Sequence, residues 1–252
     1  MQIMIGSAKE MRSECSYAPE EKTSPFFYKE ALANAVQMTV YGEGELKSML
    51  KCNAAIAAEN RLRYIRFTEP ENALQAILAY NGVVYKHIGT VGFTSDDFAY
   101  SETHLWITSF LYGILRPLDM IKCYRLEGDI ILPDNGCSMF DYWKTRLTDV
   151  FIESVKSDDG VLLDLASSEM HKLFDWRKVK RELKVVRPEF LVCKGGKLKT
   201  VVVYSKMCRG EMTGFVIKNR INDADALSGF AYEGFRYMPQ ESTQASPVFA
   251  ME

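Results

Sequence analysis

Histidine is scarce in this chain. Its three copies, His87, His104 and His171, lie far apart and form no metal-ligand spacing. The cysteines, Cys15, Cys52, Cys123, Cys137, Cys193 and Cys208, include no Cys-x-x-Cys pair. In a long chain without a secretory pattern, this argues against a zinc site and a disulfide scaffold, and predicts reduced, mostly buried thiols. No apolar run approaches the ~18 residues of a membrane helix. The apolar start Met1–Ile5 reaches Lys9 and Glu10 almost at once, so a signal-peptide core is missing. A cytoplasmic protein with no metal, cofactor or membrane contact is the expectation. An excess of one charge is also absent: 31 basic against 33 acidic residues leave a net −2. That excludes a uniformly basic, histone-like protein, but not a local basic face.

The 252 residues, 47% hydrophobic, suffice for a sizeable core without staples. We read strands and helices mixed without a strict βαβ rhythm or internal repeat, hence an α/β (mixed α+β) fold as one domain over 1–252. Met1–Ile5 reads as a strand and Arg12–Pro25 as a loop. Phe27–Val40 reads as a helix, and Leu46–Ala58 as two short helices broken near Cys52-Asn53, since Asn tolerates a left-handed backbone. Pro70–Tyr80 reads as a helix with Ala73, Ile77 and Leu78 on one face. A helix capped by Ser95 is expected to run through His104 and stop at Gly113, with Arg116-Pro117-Leu118 as a rigid turn. Further strands are expected at Tyr124–Leu132 and Val161–Ala166, and a helix at Phe140–Val155. Phe190–Cys193 and Lys199–Tyr204 read as a hairpin turning at Gly195-Gly196. A helix from Gly210 to Arg220 and a weakly ordered tail over 240–252 complete the reading.

Charge is unevenly spread. Between Lys172 and Arg220 fourteen lysines and arginines face four acids, a local +10 in a chain of −2. Such asymmetry points either to a polyanion-binding surface or to a solvated face balanced by acids elsewhere. A second basic group, Lys47, Lys51, Arg61, Arg63 and Arg66, is interleaved with Tyr64 and Phe67. Those rings suit base stacking or a core face equally well.

The run Leu111-Tyr112-Gly113-Ile114-Leu115-Arg116-Pro117-Leu118-Asp119, followed by Tyr124-Arg125-Leu126-Glu127, is similar to the pattern of the YaaA family. Phe93-Thr94-Ser95-Asp96-Asp97-Phe98, Leu165-Ala166-Ser167 with Glu169, Lys206 with Arg209-Gly210, Asn219-Arg220, Gly229-Phe230 and Glu233-Gly234-Phe235 extend the resemblance over nearly the whole chain. It implies a YaaA-type fold with a helix-hairpin-helix-like element and a positively charged cleft. It also implies DNA binding, duplex or branched, in the cytoplasmic bacterial response to hydrogen peroxide, limiting iron-driven damage. Three positions depart from the pattern. The opening reads Gly6-Ser7-Ala8-Lys9 where Ser-Pro-Ala-Lys is usual, Asn53-Ala54-Ala55-Ile56-Ala57 lacks the hairpin lysine, and Gly214 replaces a common basic residue.

Candidate phosphate contacts are Lys9, Lys51, Arg61, Arg63, Arg116, Arg125, Lys206 and Arg209. Arg116, fixed by Pro117, either aims at a phosphate or pins the turn through Asp119 or Glu127. Lys206 and Arg209 are expected to bracket the junction of a strand and a helix around Gly210. Arg125 and Glu127, two apart on an expected strand, face one side. DNA binding rather than catalysis leads. One rival is an enzyme acting on a nucleotide or nucleic acid in the basic cleft with Glu127 as acid or base. The other is an iron-sequestering stress protein, with His104 and His171 joining an acid as ligands. A nearby cation would make Cys208 peroxide-sensitive.

Overall fold

A computed structural model describes residues 1–70 and 72–251. Position 71, within the expected helix Pro70–Tyr80, and position 252, at the end of the tail, lie outside the described residues.

The chain opens with β1 (Gln2–Gly6), in which Ile3, Met4 and Ile5 are fully buried. A loop leads to α1 (Tyr28–Met38). Next come α2 (Glu43–Met49) and α3 (Ala54–Ile65), joined by a four-residue turn. The break lies where the sequence placed it, with the roles shared differently. Lys51 takes the left-handed backbone (φ 49°), and Asn53 caps α3 by accepting from Ile56 N at 2.9 Å.

The expected helix Pro70–Tyr80 is instead β2 (Ala73–Gln75) followed by one helical turn, α4 (Ala76–Ala79). Leu74 to Tyr80 are buried on every side, so no exposed face exists for an amphipathic helix. A further short turn, α5 (Val83–Lys86), leads to α6 (Ser95–His104). The cap is Thr94 rather than Ser95, in a reciprocal box with Asp97. The helix ends ten residues on, because Leu105–Ser109 becomes the buried strand β3 beside β1. β4 (Gly113–Leu115) and β5 (Met120–Lys122) follow. Tyr124–Leu132, expected as a strand, is irregular.

α7 (Met139–Lys156) and β6 (Val161–Asp164) form close to where the pattern places them. α8 (Trp176–Glu182) and β7 (Lys184–Val186) precede the hairpin of β8 (Glu189–Lys194) and β9 (Lys197–Thr200). Gly195 (φ 61°) and Gly196 (φ 72°) supply the left-handed turn. β9 stops earlier than expected, since α9 (Val202–Asn219) begins eight residues before Gly210. β10 (Ala231–Tyr232), β11 (Phe235–Tyr237) and β12 (Val248–Met251) complete the chain. The tail is therefore not loose: β12 lies parallel to β8 and antiparallel to β11.

The result is a mixed α/β fold. One sheet has the order β4-β3-β1-β6-β7, a second β10-β11-β12-β8-β9, and β2 pairs with β5. In the first sheet β1 is parallel to both β3 and β6, and β6 to β7. Strands covered on both faces read as continuous apolar runs, as β1 and β3 do. β3 and β6 flank β1 on opposite sides, so the strand order reverses at the β1/β6 boundary.

Two glycines bring α9 against α5. A Cβ on Gly210 would meet the Val84 carbonyl oxygen and the His87 Cβ, and one on Gly214 would meet the Ile88 carbonyl oxygen. No basic side chain fits at Gly214 while this contact stands. Tyr85 on α5 donates to the Gly6 carbonyl at 3.0 Å, tying α5 to the carboxyl end of β1.

Candidate functional site

Gly6–Glu10 leave the carboxyl end of β1, and Leu165–Met170 that of β6. Together with Gly82–Tyr85, Phe110, Tyr124–Glu127, Lys206 and Arg209, residues of these two segments enclose a cleft of about 420 Å³. It sits at the β1/β6 boundary, and open α/β sheets bind ligands outside the carboxyl strand ends at such a reversal. Its lining carries four cations (Lys9, Arg125, Lys206 and Arg209) and three carboxylates (Glu10, Glu127 and Glu169). Phe110, Tyr124, Leu126 and Met170 add apolar wall.

Glu127 is 7% exposed. Its Oε1 accepts from Lys9 Nζ at 2.8 Å, and Arg125 Nε lies 3.5 Å from the same oxygen without forming a hydrogen bond. Oε2 has no hydrogen-bond partner among the described residues. Arg125 is held from behind: its Nη2 donates to Leu50 O at 3.3 Å, and its carbonyl accepts from Tyr64 OH at 2.6 Å. This side of the cleft therefore abuts the α2–α3 turn. Beneath it, the Tyr124 hydroxyl is hydrogen-bonded to Ser109 Oγ (2.6 Å) and Tyr80 OH (2.8 Å), and burial raises its pKa.

The other side is built by α9. Lys206 and Arg209 both lie inside this helix, three residues apart on one face, and do not bracket a strand–helix junction. Val202 and Val203, expected within the strand Lys199–Tyr204, open α9 instead, which packs on α5. Burial, and then the neighbouring Arg187, lower the Arg209 pKa, with Asp164 opposing. Asp164 is already engaged, since its Oδ2 accepts from Arg187 Nη1 at 2.7 Å and contacts His171 Nε2 at 2.8 Å. The Arg209 carbonyl accepts from Thr213 Oγ1 at 2.8 Å, but its guanidinium has no hydrogen bond or ion pair among the described residues. A desolvated guanidinium without a partner favours an arriving anion.

The remaining sequence candidates fall outside this lining. Lys51, on the α2–α3 turn, pairs with Asp129 at 2.6 Å, and that hydrogen bond raises its pKa. Arg61 and Arg63 lie on α3, where Arg63 pairs with Glu59 at 2.7 Å. Arg116 is directed inward: its guanidinium carbon lies 3.3 Å from the Trp106 ring centroid, and its Nη1 reaches Gln2 Oε1 and Leu105 O. Its backbone N–H donates to Asp119 Oδ2 at 2.7 Å, pinning the turn. Burial lowers its pKa to about 10, against Glu102 and Asp119. Tyr64 and Phe67 are core residues, 2% and 1% exposed, not stacking platforms.

Acids from elsewhere neutralise part of the basic segment: Lys178 pairs with Asp149, Arg187 with Asp164 and Arg220 with Asp97. The hairpin lysines Lys194, Lys197 and Lys199 are exposed and form no ion pair among the described residues. The thiols, expected to be mostly buried, are not: Cys193 is exposed, Cys15, Cys52, Cys123 and Cys137 are half-buried, and of the six only Cys208 is buried. Burial, followed by Glu211, pushes the Cys208 thiol up to about 12, the opposite of a peroxide-sensitive thiol. His104 stacks on Tyr100 and His171 on Trp176. Among the described residues no three His, Cys, Asp or Glu side chains gather as a metal-holding group.

Sequence reasoning missed Ser167, Glu169 and Phe110 as lining, and Arg187 and Asp164 as the support beside Arg209. Ser167 and Glu169 sit in a run already noted; Phe110 carried no signal at all.

Fold and cleft together define a mixed α/β protein with a ligand-sized cleft of mixed charge at the ends of parallel strands. The family model described as "Peroxide stress protein YaaA" matches residues 1–241. A UPF0246 protein of Phocaeicola vulgatus is 50% identical over 253 residues, covering 100% of this chain and 99% of the relative. One of Bacteroides thetaiotaomicron is 48% identical, over 99% and 98% of the two chains. A more distant relative, from Alteromonas mediterranea, is 30% identical over 99% and 97%. The chain belongs to the YaaA peroxide stress family. No helix among the described residues is long and apolar enough to cross a membrane.

Proposed function

We propose that this chain binds DNA, mainly through backbone phosphates, as its part in resistance to peroxide. One observation carries the reading: the α2–α3 turn and the cation-bearing cleft are contiguous, joined by Arg125, which lines the cleft and bonds to Leu50. The turn acts as the helix-hairpin-helix element. Lys51 stands on it, and the exposed first residues of α3, Ala54 and Ala55, offer backbone N–H groups where the helix dipole favours an anion. Lys9, Lys206, Arg209 and the hairpin lysines extend the positive surface. Binding that neutralises phosphates releases counterions and weakens steeply with salt.

The test is a salt titration of binding to duplex, junction and single-stranded DNA, with wild type and Lys206→Ala/Arg209→Ala. A steep slope that flattens by about two in the double variant supports the reading. A flat response, or no binding at low salt, removes it.

A second reading, an enzyme acting on a nucleotide, is favoured by the burial of Glu127 between Lys9 and Arg125 in a cleft of ligand size. Turnover of a nucleotide, lost in Glu127→Gln while binding persists, would select it over simple binding.

A further inference from the structure

The cleft is too small for a duplex and large enough for one nucleotide. Cavities of roughly 300–1,000 Å³ enclose small ligands, and this one measures about 420 Å³. Its two sides differ in chemistry. Beside the α2–α3 turn stands a buried carboxylate with one oxygen committed to Lys9 and the other, Oε2, unpartnered among the described residues. On α9 stand Lys206 and the partly desolvated Arg209, whose guanidinium has no hydrogen-bond partner among the described residues. Phe110, Tyr124, Leu126 and Met170 line the same space.

We infer that the cleft receives a single unpaired nucleotide of bound DNA, its phosphate at Lys206 and Arg209 and its base against the apolar wall, with Glu127 selecting bases that carry an exocyclic amine. The inference rests on the DNA-binding reading and deepens it. An ionised carboxylate only accepts hydrogen bonds. Cytosine offers an amine where thymine offers a carbonyl oxygen, so the Oε2 position accepts from the former and repels the latter. Extruding a nucleotide costs base pairing and stacking, a cost already met where the nucleotide is unpaired. Bulged or gapped DNA is therefore bound more tightly than the same sequence fully paired. Arg125 and Lys9, both donors, face acceptor atoms on the base edge.

The experiment uses the full chain and fluorescence anisotropy with three labelled duplexes of identical flanks: fully paired, with a single bulged cytosine, and with a single bulged thymine. The bulged cytosine is expected to bind about ten-fold tighter than the paired duplex and about five-fold tighter than the bulged thymine. E127Q is expected to bring the two bulges together, because an amide can turn its NH2 toward the thymine oxygen. The wild-type comparison stands alone if E127Q does not fold. Three equal affinities overturn the inference and leave DNA binding intact. No binding of any duplex at low salt removes DNA binding and the inference with it.

Discussion

Gly210 lies so close to α5 that a Cβ on it would stand 2.7 Å from the Cβ of His87, and nearer still to the carbonyl oxygen of Val84. This contact sets the position of Arg209 and Lys206, one residue and about one turn before it on α9.

Gly210→Ala therefore destabilises the protein despite the better helix propensity of alanine. Overpacking against backbone costs about 1–3 kcal/mol, more than the roughly 1 kcal/mol that Ala adds in a helix. Gly44, with nothing within 4 Å of its Cβ position, is the control: Gly44→Ala raises the thermal midpoint or leaves it unchanged. A midpoint for Gly210→Ala equal to that of Gly44→Ala would contradict the packing account.

Arg116→Ala separates structure from binding. The residue stacks on Trp106 and donates into the core, so its loss costs about 2–4 kcal/mol of stability by denaturant unfolding. On the proposed DNA-binding reading the salt slope stays as in wild type, since the guanidinium is not part of the cleft. A slope reduced by about one would return Arg116 to the phosphate contacts.

Asn53→Ala removes the cap of α3. Loss of about 1 kcal/mol is expected, and a thermal midpoint lower by about 2–4 °C. DNA affinity falls about three-fold or more with no change in salt slope, because no charge is removed while the N–H groups at the turn lose their support. Unchanged affinity would separate this turn from the proposed DNA surface.

Cys208 resists oxidation. Mass mapping after limited peroxide or alkylating reagent should find the exposed Cys193 modified first and Cys208 last. The same burial has a pH consequence. A thiol raised from 9.0 to about 12 contributes stability that is fully present below about pH 9 and is lost as pH rises toward 12. The buried Tyr80 and Tyr124, also raised by burial, act with the same sign. Thermal stability is therefore flat near neutrality and falls in alkali; Cys208 modified as fast as Cys193 at neutral pH would refute its burial.

The amino-acid sequence alone specifies the elements whose signal is local. The apolar run at Ile3–Ile5, the amphipathic spacing of α1 and α7, the Gly195-Gly196 turn and the break between α2 and α3 each reside in a few neighbouring residues. It also carried the run Tyr124–Glu127 and the Lys206/Arg209 pair, through their family pattern. What it could not carry is pairing at a distance. Leu105–Ser109 follows α6 with no turn residue to end the helix, yet is a strand because β1 offers its hydrogen bonds. Leu74–Tyr80 shows helical spacing but is buried on all sides. The segment 248–251, polar in its approach, is held as a strand by β8 and β11. The site follows the same division. Arg116 and Arg125 are alike in sequence, each in a well-marked motif, and only the tertiary structure turns one into the core over Trp106 and the other into the cleft beside Glu127. The physical reason is that a side chain's partner depends on which strands and helices meet around it, and those contacts span more than a hundred residues, as Lys9 and Glu127 do.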